Sequence, residues 1–120
     1  MKTTKSAGRK AWQFTNGETE INLTVDGGQM APVTFFAGSS TPVKPYYISP
    51  WQEEAKEVTT PGVLRSLRGD FFCMPFGGDN TLDGEVHPPH GESAEGRWKL
   101  VNSSGEEAFI ETELATKVRP

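Results

Sequence analysis

Thirteen glycines and nine prolines punctuate these 120 residues, and no run among them keeps a helical period for eleven residues. Proline fixes φ and removes a backbone donor, and glycine supplies the positive φ of tight turns. Such a chain folds as short extended segments joined by turns. After "AWQFT", Asn16-Gly17 suits a two-residue type I′ turn, whose central positions both need positive φ. Ile21, Leu23 and Val25 then alternate with Asn22 and Thr24, the period of a half-buried strand. A second turn, Asp26-Gly27-Gly28, leads into "MAPVTFFAG", where Pro32 suggests an edge strand or a strand start.

The rest of the chain continues the pattern. Residues 1–10 read as a flexible polar arm, and residues 39–62 as irregular. One turn of helix is expected at Trp51–Lys56, with Ser49 as cap and Pro50 at its first position. "VLRSLRGDFFCMPFGG" offers a strand, a break at Gly69, and an apolar run Phe71–Phe76 expected in the core, with Cys73 buried and inert. From Gly77 to Gly96 no periodic core pattern appears, and a loop of that length is uncommon in a compact domain unless it is functional. The closing segment reads as a hairpin around Ser104-Gly105, with Ile110, Thr112, Leu114, Thr116 and Val118 on one face of its last strand.

The expected class is therefore all-β, an antiparallel β-sandwich, with residues 11–120 in a single domain. The last strand reaches Arg119-Pro120 without a terminating turn, which leaves an unprotected edge. The expectation is a piece of a larger sheet protein, or a chain that self-associates through its C-terminal strand edge.

Charge and motifs exclude several function classes. A net charge of -4 with no basic stripe speaks against nucleic acid as partner. A single cysteine excludes an internal disulfide. The basic N-terminus is followed by no apolar stretch, so no signal peptide or membrane span is expected, and a cytoplasmic location is the default. No phosphate-cradling glycine loop, zinc-finger spacing or Ser-His-Asp order is present, and no cofactor is called for.

Chemistry concentrates in "HPPHGESAEGRW", which holds both histidines. His87 and His90 have a spacing that two metal ligands can use, with Glu92, Asp83 or Asp79 as oxygen donors. Pro88-Pro89, however, imposes an extended backbone that sets the two rings about 9 Å apart, at about 3.1 Å per residue. The second reading is a general acid: His90 beside Gly91, which admits close backbone approach, and Glu92, which orients or pairs the ring. The third is a surface turn that contains histidine. Arg68 is either one half of an ion pair with Asp70 or a fork of donors for ligand oxygens. Asp79, Asn80, Asp83 and Glu85 form an acidic loop, and Trp51 and Trp98 are core or rim aromatics able to stack on a sugar ring.

Taken together, "LRGDFFCMPFGG…HPPHGESAEGRWKL" resembles the aldose 1-epimerase (galactose mutarotase-like) superfamily, in its hexose-phosphate mutarotase branch. The shared order is Arg68-Gly69, Cys73, Pro75, Phe76-Gly77, a loop, His90-Gly91 and Trp98. The resemblance implies a β-supersandwich with a sugar pocket, in which a histidine protonates the ring oxygen while a carboxylate takes the anomeric proton. His90 matches the acid and Arg68 the ligand-holding arginine. Asp70, Asn80, His87, Glu92 and Trp98 would complete the substrate-binding set, with no metal. A small-molecule sugar is the implied partner. Ala94 stands where the phosphate-binding branch has arginine, and no histidine follows His90. The resemblance therefore implies a carbohydrate-binding protein whose full-length form interconverts sugar anomers, while the isolated chain is expected to bind sugar without epimerising it. The alternatives are a non-catalytic sugar-binding β-sandwich module and a cupin-like metal protein using His87, His90 and Glu92.

Overall fold

The computed structural model describes residues 2–54, 59, 62–77, 80–104 and 107–115. Its strands form antiparallel sheets, and among the described residues the helical pieces are short 3-10 turns, so the fold is all-β. The main sheet is a four-stranded meander of β1 (Lys2–Ser6), β2 (Arg9–Thr15), β3 (Thr19–Thr24) and β4 (Met30–Phe35), paired in chain order. Two hairpins follow: β5 (Asn80–Leu82) with β6 (Glu85–His87), and β7 (Lys99–Ser103) with β8 (Ala108–Glu111). No helix among the described residues is long and apolar enough to cross a membrane.

Several expectations change in detail. Residues 2–6 are not a free arm. They pair with β2 from Lys2↔Gln13 to Ser6↔Arg9, because the Ala7-Gly8 turn, both residues at positive φ, folds them back. At Asn16-Gly17 only the glycine has positive φ. Asn16 instead closes the turn with its side chain, Oδ1 accepting from the amides of Glu18 (3.0 Å) and Thr19 (2.7 Å). Pro32 does sit on an edge, since β4 ends the sheet order.

The burial of β3 reverses what its alternation suggests. A half-buried strand should hide its apolar set, yet Asn22 and Thr24 are buried while Ile21 and Leu23 are only half-buried. The cause is what covers each face. Thr24 Oγ1 donates to the Asp26 carbonyl and accepts from the Gln29 amide, and Asn22 Nδ2 donates to the Pro32 carbonyl. Every one of these polar atoms has a partner, so burying them is tolerable. On the opposite face, Phe14, Ile21, Leu23 and Met30 border a cavity of about 550 Å³ closed by Ser104, Glu107 and Ala108 of the last hairpin.

Gln29 and Arg68 tie the sheet to the loops. Fully buried Gln29 donates from Nε2 to the carbonyls of Val63 and Ala94, and its Oε1 accepts from the Arg68 amide at 2.9 Å. The expected strand at 63–67 is a 3-10 turn, Gly62–Arg65, followed by isolated bridges Ile48↔Arg68 and Met30↔Asp70. The helical turn near Trp51 is 3-10, Pro50–Glu53. Ser49 does not cap it. Its hydroxyl donates to the Leu67 carbonyl at 2.6 Å.

Two further expectations fail. The apolar run is not core: Phe72 and Phe76 are 59% and 86% exposed, and Cys73 is half-exposed. Cis peptide bonds occur at Ala31-Pro32, in β4, and at Met74-Pro75, within this run. The stretch read as loop holds the β5–β6 hairpin, turning at Asp83-Gly84, both at positive φ as a type I′ turn requires. The closing hairpin forms, but β8 ends at Glu111; Leu114 is no longer strand, and Thr116 and Val118 lie outside the described residues.

Candidate functional site

The residues singled out from sequence separate into distinct environments. Arg68 is an internal tie. Its Nε donates to the Ser66 carbonyl (3.0 Å), its Nη1 to Ser6 (2.9 Å), and its Nη2 to Ala7 (2.8 Å) and to Gln52 Oε1 (3.1 Å). At 2% exposure it presents nothing to a ligand, and its fork holds the β1–β2 turn onto the Pro50–Glu53 turn. Burial lowers the pKa of Arg68 to about 10, with neighbouring Arg9 adding to the fall and Glu53 opposing it. Arg68 forms no ion pair with Asp70. That carboxylate is exposed and accepts from the Phe71 amide at 3.1 Å.

Trp98 is a packing residue. Its indole Nε1 donates to the Ser93 carbonyl at 2.9 Å, and its ring lies against Gly28 so closely that a Cβ there would come within 2.8 Å. Trp51 Nε1 donates to the Leu64 carbonyl at 3.0 Å. Asn80 opens β5 opposite His87 in the register. Asp79 lies outside the described residues.

The two histidines have different surroundings. His87 is buried, with Nε2 3.4 Å from Glu85 Oε2. Glu85, His87 and Glu92 line one cavity of about 210 Å³ together with Val86 and Ala115. His90 is exposed and adopts φ +66°, a conformation uncommon outside glycine. Its amide donates to the Gly77 carbonyl at 2.9 Å, its Nδ1 lies 3.7 Å from Cys73 Sγ, and its ring meets Phe71 edge-on with centroids 5.5 Å apart.

Ser93 builds this arrangement, and the sequence reading did not single it out. Nearly fully buried, its Oγ donates to the Phe72 carbonyl (2.8 Å) and accepts from the Met74 amide (2.7 Å). Segment 72–74 is thereby pinned onto the 3-10 turn Glu92–Ala94, which sets Cys73 beside His90. Gly91, at φ +77°, completes the contact, since a Cβ would strike the Met74 carbonyl. Nothing in "HGES" separates this serine from a solvated one; its role depends on a segment nineteen residues away.

The larger cavity, under the last hairpin, shares no residue with this site, and among the described residues Glu107 is its one ionisable lining residue. Its walls suit apolar contact, and neither histidine nor Cys73 lines it. No family model, curated protein or solved structure matches this chain. Among the described residues, no group of three or more His, Cys, Asp and Glu side chains is placed to hold a metal ion. His87 and His90 engage different partners.

Proposed function

We propose that this chain is a carbohydrate-binding, mutarotase-like β-protein, a β-sandwich in plan, whose sugar site is built on segment 71–92 with His90 as the acid. The observation that carries the reading is His90 itself: an exposed imidazole held in a left-handed conformation by its backbone, its Nδ1 and its ring face. Backbone strain of that kind costs about 1–3 kcal/mol and persists where the surroundings over-determine it, often at functional sites. With Cys73 beside Nδ1, Nε2 is the nitrogen left to meet a ring oxygen. Glu85, His87 and Glu92, each already engaged within the fold, line a cavity of polar character suited to hydroxyls. Phe72 and Phe76 supply exposed apolar faces for the C–H side of a pyranose.

The cavity of about 210 Å³ is below the roughly 300 Å³ of ordinary small-molecule pockets, so only part of a sugar ring enters it. Arg68 and Trp98 are left out of the site, because their donors are engaged inside the fold. Titration calorimetry with glucose, galactose and glucose 6-phosphate tests binding, and polarimetry of freshly dissolved α-anomer tests catalysis. Saturable heat that His90→Ala weakens about tenfold supports the site. Absence of saturable heat with every sugar removes the proposal, and rate enhancement in polarimetry would show catalysis in the isolated chain beside binding.

A further inference from the structure

Cys73 is the only cysteine of the chain, it is half-exposed, and its Sγ lies 3.7 Å from His90 Nδ1. A nucleophile with a base in reach, and a third group orienting that base, is the general plan of activated side-chain nucleophiles. Here the orienting contacts are the Phe71 ring edge and the bond from the His90 amide to the Gly77 carbonyl. Ser93 fixes the other half, since its Oγ bonds on both sides of Cys73, to the Phe72 carbonyl and the Met74 amide. Thiol and imidazole are thus each held by their own backbone, and neither has an ion-pair partner among the described residues. A solvated cysteine side chain on a free loop would need none of this.

From this geometry we infer that Cys73 and His90 form a nucleophilic thiol–imidazole pair that adds to carbon electrophiles, with an aldehyde carbonyl as the substrate class. Sγ forms a bond to the carbonyl carbon, the π pair moves to the oxygen, and the thiol proton passes through His90 Nδ1 to that oxygen. The product is a hemithioacetal, and no oxidant, reductant or leaving group is required. The exposed faces of Phe72 and Phe76 border the segment from which the electrophile would approach. This inference stands whether or not the chain binds sugar, and its test uses no sugar.

Iodoacetamide is the probe: Sγ bonds to its methylene carbon, iodide leaves, and the proton is left on His90. With one cysteine, intact-mass spectrometry counts the adduct without ambiguity. The rate at pH 7 is compared for the native chain, the same chain in urea with iodoacetamide rates corrected for the denaturant, and His90→Ala. The native chain is expected to react at least about tenfold faster than the unfolded one, and His90→Ala to lose that gain. A native rate at or below the unfolded rate overturns the inference, and needs no variant. An unchanged rate in a folded His90→Ala also overturns it. Saturation of the native rate by competing propanal, reversed on dialysis, would identify the aldehyde class, and lack of competition would refute that class.

Discussion

Replacing Arg68 by alanine would leave the carbonyls of Ser6, Ala7 and Ser66 and the Oε1 of Gln52 without this donor in one step. Hydrogen bonds to a charged group contribute about 1.5–3 kcal/mol each, so the four together amount to roughly 6–12 kcal/mol. Against this stands the cost of burying the guanidinium. Desolvation of the guanidinium, which together with neighbouring Arg9 holds its pKa down at about 10, offsets part of this gain. Water reaching the freed carbonyls of the β1–β2 turn recovers a further share. The expected net loss is about 3–5 kcal/mol, the range seen when one member of a buried charged network is removed. Urea unfolding followed by far-ultraviolet circular dichroism measures it. Arg68→Lys should lose about half as much, because an ammonium group brings three donors without the planar fork. A loss under about 1 kcal/mol for Arg68→Ala, at unchanged denaturant slope, would refute the reasoning. Since the donors are engaged internally, folded Arg68→Lys should leave the proposed sugar binding unchanged. Selective loss of binding there would return the arginine to the ligand.

Other consequences are equally direct. Thr24→Val removes a hydroxyl that both donates and accepts inside the fold and should cost about 1–3 kcal/mol, whereas Ile21→Thr, on the half-buried apolar face, should cost less; the opposite order in urea melts would show that β3 buries its apolar side after all. Gly91→Ala puts a Cβ against the Met74 carbonyl at φ +77°, so it should destabilise by about 2 kcal/mol or more and slow Cys73 alkylation at the same time. Ser93→Ala breaks both bonds that pin segment 72–74 and should lower the native alkylation rate toward that of the unfolded chain, an effect that a purely solvated serine could not produce. Gln29→Leu leaves the Arg68 amide and the carbonyls of Val63 and Ala94 unpaired and should cost about 2–4 kcal/mol, readable as a lower urea midpoint.

Local chemistry was legible where it needed no distant partner. The turns at Asp26-Gly27-Gly28 and around Ser104, the edge position of Pro32 and the all-β class follow from φ preferences, missing donors and period-two patterning. The Asp83-Gly84 hairpin carried an equally clear turn signal. Its strands have only three residues each, too few for an alternation to show. The site was legible in part. His90 stood out because glycine and proline flank it, and the stiff Pro88-Pro89 link already argued against shared chelation with His87.

What the chain alone could not reveal is which polar side chains find partners across the fold. Arg68 reads as a ligand clamp until carbonyls from residues 6, 7 and 66 are seen to meet its fork. Asn22, Thr24 and Gln29 read as surface residues until their bonds make burial inexpensive. Cys73 reads as core until Ser93 draws its backbone to the surface beside His90. Sequence determines a residue's capacity to bond and the turns it permits. Whether that capacity is met by water, by backbone or by a ligand depends on contacts between distant segments, and those exist only once the tertiary structure has formed.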